Sequence, residues 1–250
     1  MGKGITMSTR NQGQPTLKSN WYEQRLAFLW RADLLACLGC VAFFLLLPKL
    51  DLWTSALFFD GSGFPLDRNS VVQFIYHAFA KIQIVYLLAI IGGIAWCSYR
   101  GLKAARKAWL FLLAALILGP GLIVNVGLKE NSVGRPRPRD VQPFAGEHSF
   151  APVFTYSGAC QRNCSFVSGH AAISFYLMSL AWALGRRRWL SLGIGAGIIV
   201  GFVRIVQGGH FLSDVIFSGW VVYFTCVILA HFMGLSLERQ KTTLSEAEKH

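Results

Sequence analysis

The feature that most constrains this chain is a series of apolar runs, each close to the roughly 20 residues a helix needs to cross a bilayer. They lie at about 32–48, 80–98, 108–128, 166–185, 190–204 and 211–233. Inside a bilayer every backbone N–H and C=O must bond within the protein, and helices satisfy that demand segment by segment. With 54% hydrophobic residues against 14% charged, the composition agrees. The expectation is an all-α polytopic membrane protein of six transmembrane helices.

Around these runs the chain divides into three parts. Residues 1–31 read as a cytoplasmic N-terminal segment with an interfacial aromatic-basic helix, residues 32–233 as the membrane domain, and residues 234–250 as a cytoplasmic tail. The polar opening lacks the early apolar core of a cleavable signal peptide, so the first run is expected to remain as an anchor. Residues 51–79, with the turn Gly61-Ser62-Gly63 and the aromatic-rich "FIYHAF", read as a loop plus a partly interfacial helix, with a longer second span as the alternative.

A net charge of +12 is compatible with nucleic-acid binding, but the cations punctuate apolar segments instead of gathering on a soluble face. Their placement reads as orientation. Lys3, Arg10, Lys18, Arg25 and Arg31 precede the first run; Arg100, Lys103, Arg106 and Lys107 separate the second and third; Arg186, Arg187 and Arg188 separate the fourth and fifth. By the positive-inside rule these segments are cytoplasmic, and both termini with them. The loops at 129–165 and 205–210 then face outward, yet the first carries Lys129, Arg135, Arg137 and Arg139. Cations on the wrong side call for an anionic partner.

Three motifs carry that chemistry. In "LKENSVGRPRPRD" (128–140), Pro136 and Pro138 keep the chain extended, so its guanidinium forks project toward phosphate oxygens. A basic loop binding lipid headgroups explains this motif equally well when it is taken alone. At Ser168-Gly169-His170 a helix N-terminus would meet water, with free backbone N–H groups for an anion and a glycine that lets it come close. In "VRIVQGGHFLSDV" (203–215), His210 and Asp214 are four apart and on a helix would share one face, so that the carboxylate orients a nucleophilic imidazole. Gly208-Gly209 permit a turn bringing Arg204 to the same pocket. Together these form a phosphate cradle with an acid and a nucleophile. No cluster of Asp and Glu suited to catalytic magnesium accompanies them, so the expected chemistry uses no metal and no cofactor.

Cys160 and Cys164 share the outer loop, where an oxidising compartment would join them as a disulfide staple. A zinc site is the alternative, although no second pair of ligands is evident.

The three motifs resemble those of the type 2 phosphatidic acid phosphatase superfamily, over roughly residues 80–233. That resemblance implies a six-helix membrane fold and a phosphohistidine intermediate. It gives His210 as nucleophile, Asp214 as its orienting carboxylate and His170 as general acid, with Lys129, Arg137, Ser168, Gly169 and Arg204 as phosphate ligands. The family usually places six residues between the first motif's lysine and arginine; here five precede Arg135 and seven precede Arg137, so Arg137 is preferred and Arg135 stays open. Val167 and Val203 stand where the family commonly has proline and serine. "GRPRPRD" and "CQRNCSFVSGH" are similar to bacterial phosphatases of the lipid A kind, which implies an inner-membrane enzyme acting at the periplasmic face on a lipid headgroup phosphate. Undecaprenyl diphosphate, phosphatidylglycerol phosphate and phosphoryl transfer to a second lipid are the alternatives. The expected partners are the lipid substrate and the bilayer, with no nucleic acid.

Overall fold

The structure, a computed structural model, describes residues 31–130 and 133–237. Apart from Arg31 and residues 234–237, the expected interfacial helix of 1–31 and the tail of 234–250 lie outside them. The chain divides after Phe43 into a short N-terminal unit and a large one. Helix α1 (Ala32–Leu46) crosses that boundary. The large unit continues with α2 (Leu50–Ala56), α3 (Ser70–Tyr99), α4 (Lys103–Leu116, prolonged by Ile117–Glu130), α5 (Gly169–Leu184), α6 (Arg188–Val206) and α7 (Leu212–Phe232). No strand occurs among the described residues.

Two expectations change. The second helix begins ten residues earlier than the apolar run at 80–98, because Asn69 caps it: its side-chain oxygen accepts from the N–H of Val71 at 2.9 Å. The longer second span kept open for residues 51–79 is the one observed: "FIYHAF" is continuous with α3, which at 30 residues measures about 45 Å, long enough to cross a bilayer and stand out beyond it. Conversely, the run at 166–185 yields only α5, about 24 Å long, which is short for a span. By length and apolar composition four helices are able to cross a membrane (α3, α4, α6 and α7), or five if α1 and α2 form one bent span, where six were expected.

Helix α5 is the core of the large unit. Ala171 to Tyr176 are all buried, and α4, α6 and α7 pack around it. Close approach to α6 depends on glycines at four-residue spacing. A Cβ on Gly193 would collide with the Met178 backbone, one on Gly197 with the Phe175 ring, and one on Gly201 with Val215 of α7. The second half of α4 winds in wide π-type turns. There the Asn125 side-chain amide donates to the carbonyl of Pro120, five residues back, at 2.8 Å.

Candidate active site

Helix direction gathers the three motifs at one end of the large unit. Lys129 lies at the end of α4, Ser168 to His170 at the start of α5, and Arg204 to Asp214 around the turn from α6 to α7. The basic segments 103–108 and 186–188 share a cavity at the opposite end. Between α4 and α5 the described residues 133–168 are irregular apart from two short 3-10 turns, Pro138–Asp140 and Gln142–Phe144, and a bond joins Cys160 to Cys164, whose Cα atoms are 5.6 Å apart.

His210 is fully buried, and its Nδ1 stands 2.7 Å from the carbonyl oxygen of Ser165. A carbonyl only accepts, so Nδ1 carries the proton and Nε2 of the neutral ring is bare. Burial pulls the imidazole down to about 3, Arg204 and Arg137 act in the same direction, and Asp214 opposes them. The ring thus stays neutral at ordinary pH, with its one proton on Nδ1.

The expected partnership with Asp214 is different in kind. Helix α7 starts at Leu212, after His210, so the two residues do not share a helical face. Asp214 Oδ2 is 3.8 Å from His210 Nδ1, and that oxygen accepts instead from the hydroxyl of Ser165 and from the N–H of Phe211 at 2.8 Å. The carboxylate fixes the residues on either side of the imidazole, and the Ser165 carbonyl sets its tautomer.

Arg135 anchors this arrangement from beneath. It is completely buried, with Nη1 2.6 Å from Asp214 Oδ1, Nη2 2.7 Å from Asp51 Oδ2 and Nε 2.9 Å from the Ala151 carbonyl. Asp51, on α2, also accepts from the N–H and hydroxyl of Ser213. Every nitrogen of Arg135 therefore bonds within the protein, which removes it as a candidate for binding an outside anion. Arg137 is half-buried, its Nη2 donates to the Asn163 carbonyl at 2.8 Å, and it lies within electrostatic reach of both histidines.

His170 stacks on Tyr76 of α3 with ring centroids 4.7 Å apart, and the Arg204 guanidinium lies 4.7 Å from the centroid of the same ring. Arg204 also donates to Gln207, whose amide in turn donates to Asp67 at 2.8 Å. Two buried nitrogens here have no hydrogen-bond partner, His170 Nε2 and Arg204 Nε. Such atoms are costly to leave unsatisfied, and in a pocket they mark where a ligand's acceptors would go. Ser168 caps α5, accepting weakly from the N–H of Ala171 at 3.4 Å. Gly169 lets the α4 side chains close in: a Cβ there would lie 2.9 Å from Asn125 Oδ1 and 3.6 Å from Lys129 Nζ.

A pocket of about 230 Å³ is lined by Tyr76, Gln83, Asn125, Lys129, Gly169 and His170. Gln83, Asn125, Gly169 and Ile173 also line a larger cavity of about 530 Å³, otherwise apolar, that runs between α3, α4 and α5 past Leu87, Leu116 and Leu122. A polar pocket opening into an apolar groove fits an amphiphile.

The structure thus brings together Lys129, Arg137, Ser168, Gly169, His170, Arg204, His210 and Asp214. Asp51, Tyr76, Asn125, Ser165 and Gln207 escaped the reading of the sequence. For Asp51 a signal existed, since an acidic residue within an apolar helix needs a buried partner. Tyr76 was hidden by the misplaced start of α3.

The PAP2 superfamily model matches residues 108–237. The chain is 34% identical over 208 residues to the lipid A 4'-phosphatase of Francisella tularensis subsp. novicida, covering 76% of this chain and 92% of that protein. Proteins of the same name from Rhizobium leguminosarum and Rhizobium etli are 30% and 31% identical, each over 82% of this chain and 95% and 86% of their own length. No solved structure matches the chain.

Proposed function

Because the chain belongs to the PAP2 superfamily and is a lipid phosphate phosphatase, we propose that its substrate is lipid A, from which it removes the 4'-phosphate at the periplasmic face of the inner membrane. The observation that carries the chemistry is the buried His210, its Nδ1 proton held on the Ser165 carbonyl and its Nε2 bare. The relatives covering most of this chain carry the choice of lipid. The groove of about 530 Å³ beside the polar pocket gives acyl chains a place between helices while the headgroup reaches the cations.

In this reading Nε2 of His210 attacks phosphorus in line with the departing sugar oxygen. Lys129, Arg137 and Arg204, with the N–H groups at the start of α5, stabilise charge on the three equatorial oxygens. With the phosphate dianion bound beside it, His170 is the imidazolium; it gives its Nε2 proton to the sugar oxygen as the P–O bond breaks and becomes neutral, leaving a phosphohistidine and the free alcohol. Water then attacks the phosphohistidine, His170 takes its proton, and inorganic phosphate leaves with both histidines restored. Asp214 acts through Ser165, as a positioning residue, and so does Tyr76 through the ring it stacks on His170. The basic segments gathered at the far end support a cytoplasmic placement of that end, with both termini on the same side.

The test is to incubate purified protein in detergent with 1,4'-bisphosphorylated lipid A, to measure free phosphate and to weigh the lipid products by mass spectrometry. Loss of one phosphate is expected, with labelled phosphate trapped on His210 in a rapid quench. His210→Ala is expected to lower turnover by about 10³-fold or more. Full turnover by His210→Ala would overturn the phosphohistidine route, and a newly phosphorylated second lipid would replace hydrolysis with transfer.

A further inference from the structure

Beside the catalytic pocket lies a second polar cavity of about 290 Å³, walled by Arg68, Arg139, Asp67, Gln207 and the Gly63-Phe64 turn. Gln207 links the two: its side chain accepts from Arg204 and donates to Asp67 at 2.8 Å. Asp67, the acidic residue in that wall, is thereby occupied, and Gln73 bonds it from α3 as well, at 3.2 Å. Neither Arg68 nor Arg139 has an ion-pair partner among the described residues. Arg139 is held in place by its backbone, whose N–H donates to the Gly208 carbonyl at 3.1 Å in the turn that presents His210. It lies within electrostatic reach of both Arg137 and Arg204. Three guanidinium groups, of which Arg139 is exposed, thus converge on two carboxylates, Asp67 and Asp140, and the surplus positive charge favours an anion among them. The catalytic phosphate accounts for Arg137 and Arg204 and leaves Arg68 and Arg139 facing a cavity of their own.

We propose that this cavity is a second anion site, which takes the other phosphate of the same headgroup, the one that is not being removed. The inference rests on the lipid A reading, whose headgroup carries more than one anion. Arg68 and Arg139 then select headgroups by ground-state binding, and the chemistry at His210 proceeds independently of them.

The experiment compares 1,4'-bisphosphorylated lipid A with the 4'-monophosphorylated lipid bearing the same acyl chains, in uncharged detergent. The proteins are wild type, Arg68→Gln, Arg139→Gln and the double variant, each with its thermal midpoint recorded. Wild type is expected to show a KM about tenfold lower for the bisphosphorylated lipid. In the double variant that advantage disappears, with kcat on both lipids within about twofold of wild type and an unchanged midpoint. Equal KM for both lipids in wild type, or equal losses on both lipids in the variants, would overturn the second site while leaving the phosphatase reading intact. A loss that emerges only when phosphatidylglycerol is added to the micelles, equally for both substrates, would give the arginines to a neighbouring lipid and overturn it too. Turnover of neither lipid by wild type would remove the lipid A reading and this inference together.

Discussion

Arg135 and Arg137 stand two residues apart in one basic run, and their surroundings separate them completely. Arg135 is sealed between Asp51 and Asp214, whereas Arg137 faces the histidines. Removing a buried cation strands two buried carboxylates, at a cost of about 3–5 kcal/mol. Arg135→Gln is therefore expected to lower the thermal midpoint in detergent by about 10 °C. Arg137→Gln is expected to hold the midpoint within about 2 °C while lowering kcat/KM by roughly 100-fold. The opposite pattern would exchange the two roles. Spacing within the motif left both arginines open, because what distinguishes them is Asp51, 84 residues before Arg135. His210, His170 and Arg204 needed no such distant information: their residue types and local spacing already implied a phosphate site.

At the level of elements, apolar runs announced the long helices, and glycine spacing explains how two of them meet. Gly193 lies against the Met178 backbone, which has no way to yield, while Gly195, two residues on, has nothing within 4 Å of the Cβ it lacks. Gly193→Ala is accordingly expected to destabilise by about 1–3 kcal/mol through overpacking. Gly195→Ala is expected to be neutral or to stabilise by up to about 1 kcal/mol, since alanine favours helix. Thermal midpoints of the two variants in one detergent check the contrast, and equal shifts would discount the close contact. Hydropathy misjudged the ends of elements, because ends are set by caps and tertiary contacts. Asn69 starts α3 early, and α7 begins too late to include His210, so a four-residue spacing that suggested one helical face instead straddles a helix start. The apolar run at 166–185 is apolar because α5 is buried among other helices, and burial in protein leaves the same trace in a sequence as burial in lipid.

For the whole molecule, the proposed orientation yields a labelling test. Glu147 and Arg186 are both exposed, the first in the outer loop and the second in the basic turn between α5 and α6. A Glu147→Cys variant is expected to react with a membrane-impermeant maleimide in intact cells, and Arg186→Cys only after the inner membrane is permeabilised, each judged against the unmodified background. Labelling in the reverse order would turn the protein over in the membrane. The buried junction of Asp51, Arg135 and Asp214 also bears on how such a molecule is made. During synthesis Asp51 leaves the ribosome 84 residues ahead of Arg135 and 162 ahead of Ser213, so its carboxylate waits through most of translation for its partners. Until the last helix arrives, the Ser165 carbonyl and the His210 ring have no common anchor. In the proposed mechanism His210 is thus set in place only once the stretch carrying Asp214 has been made, so a chain that stops short of it lacks the arrangement on which the phosphatase reading rests.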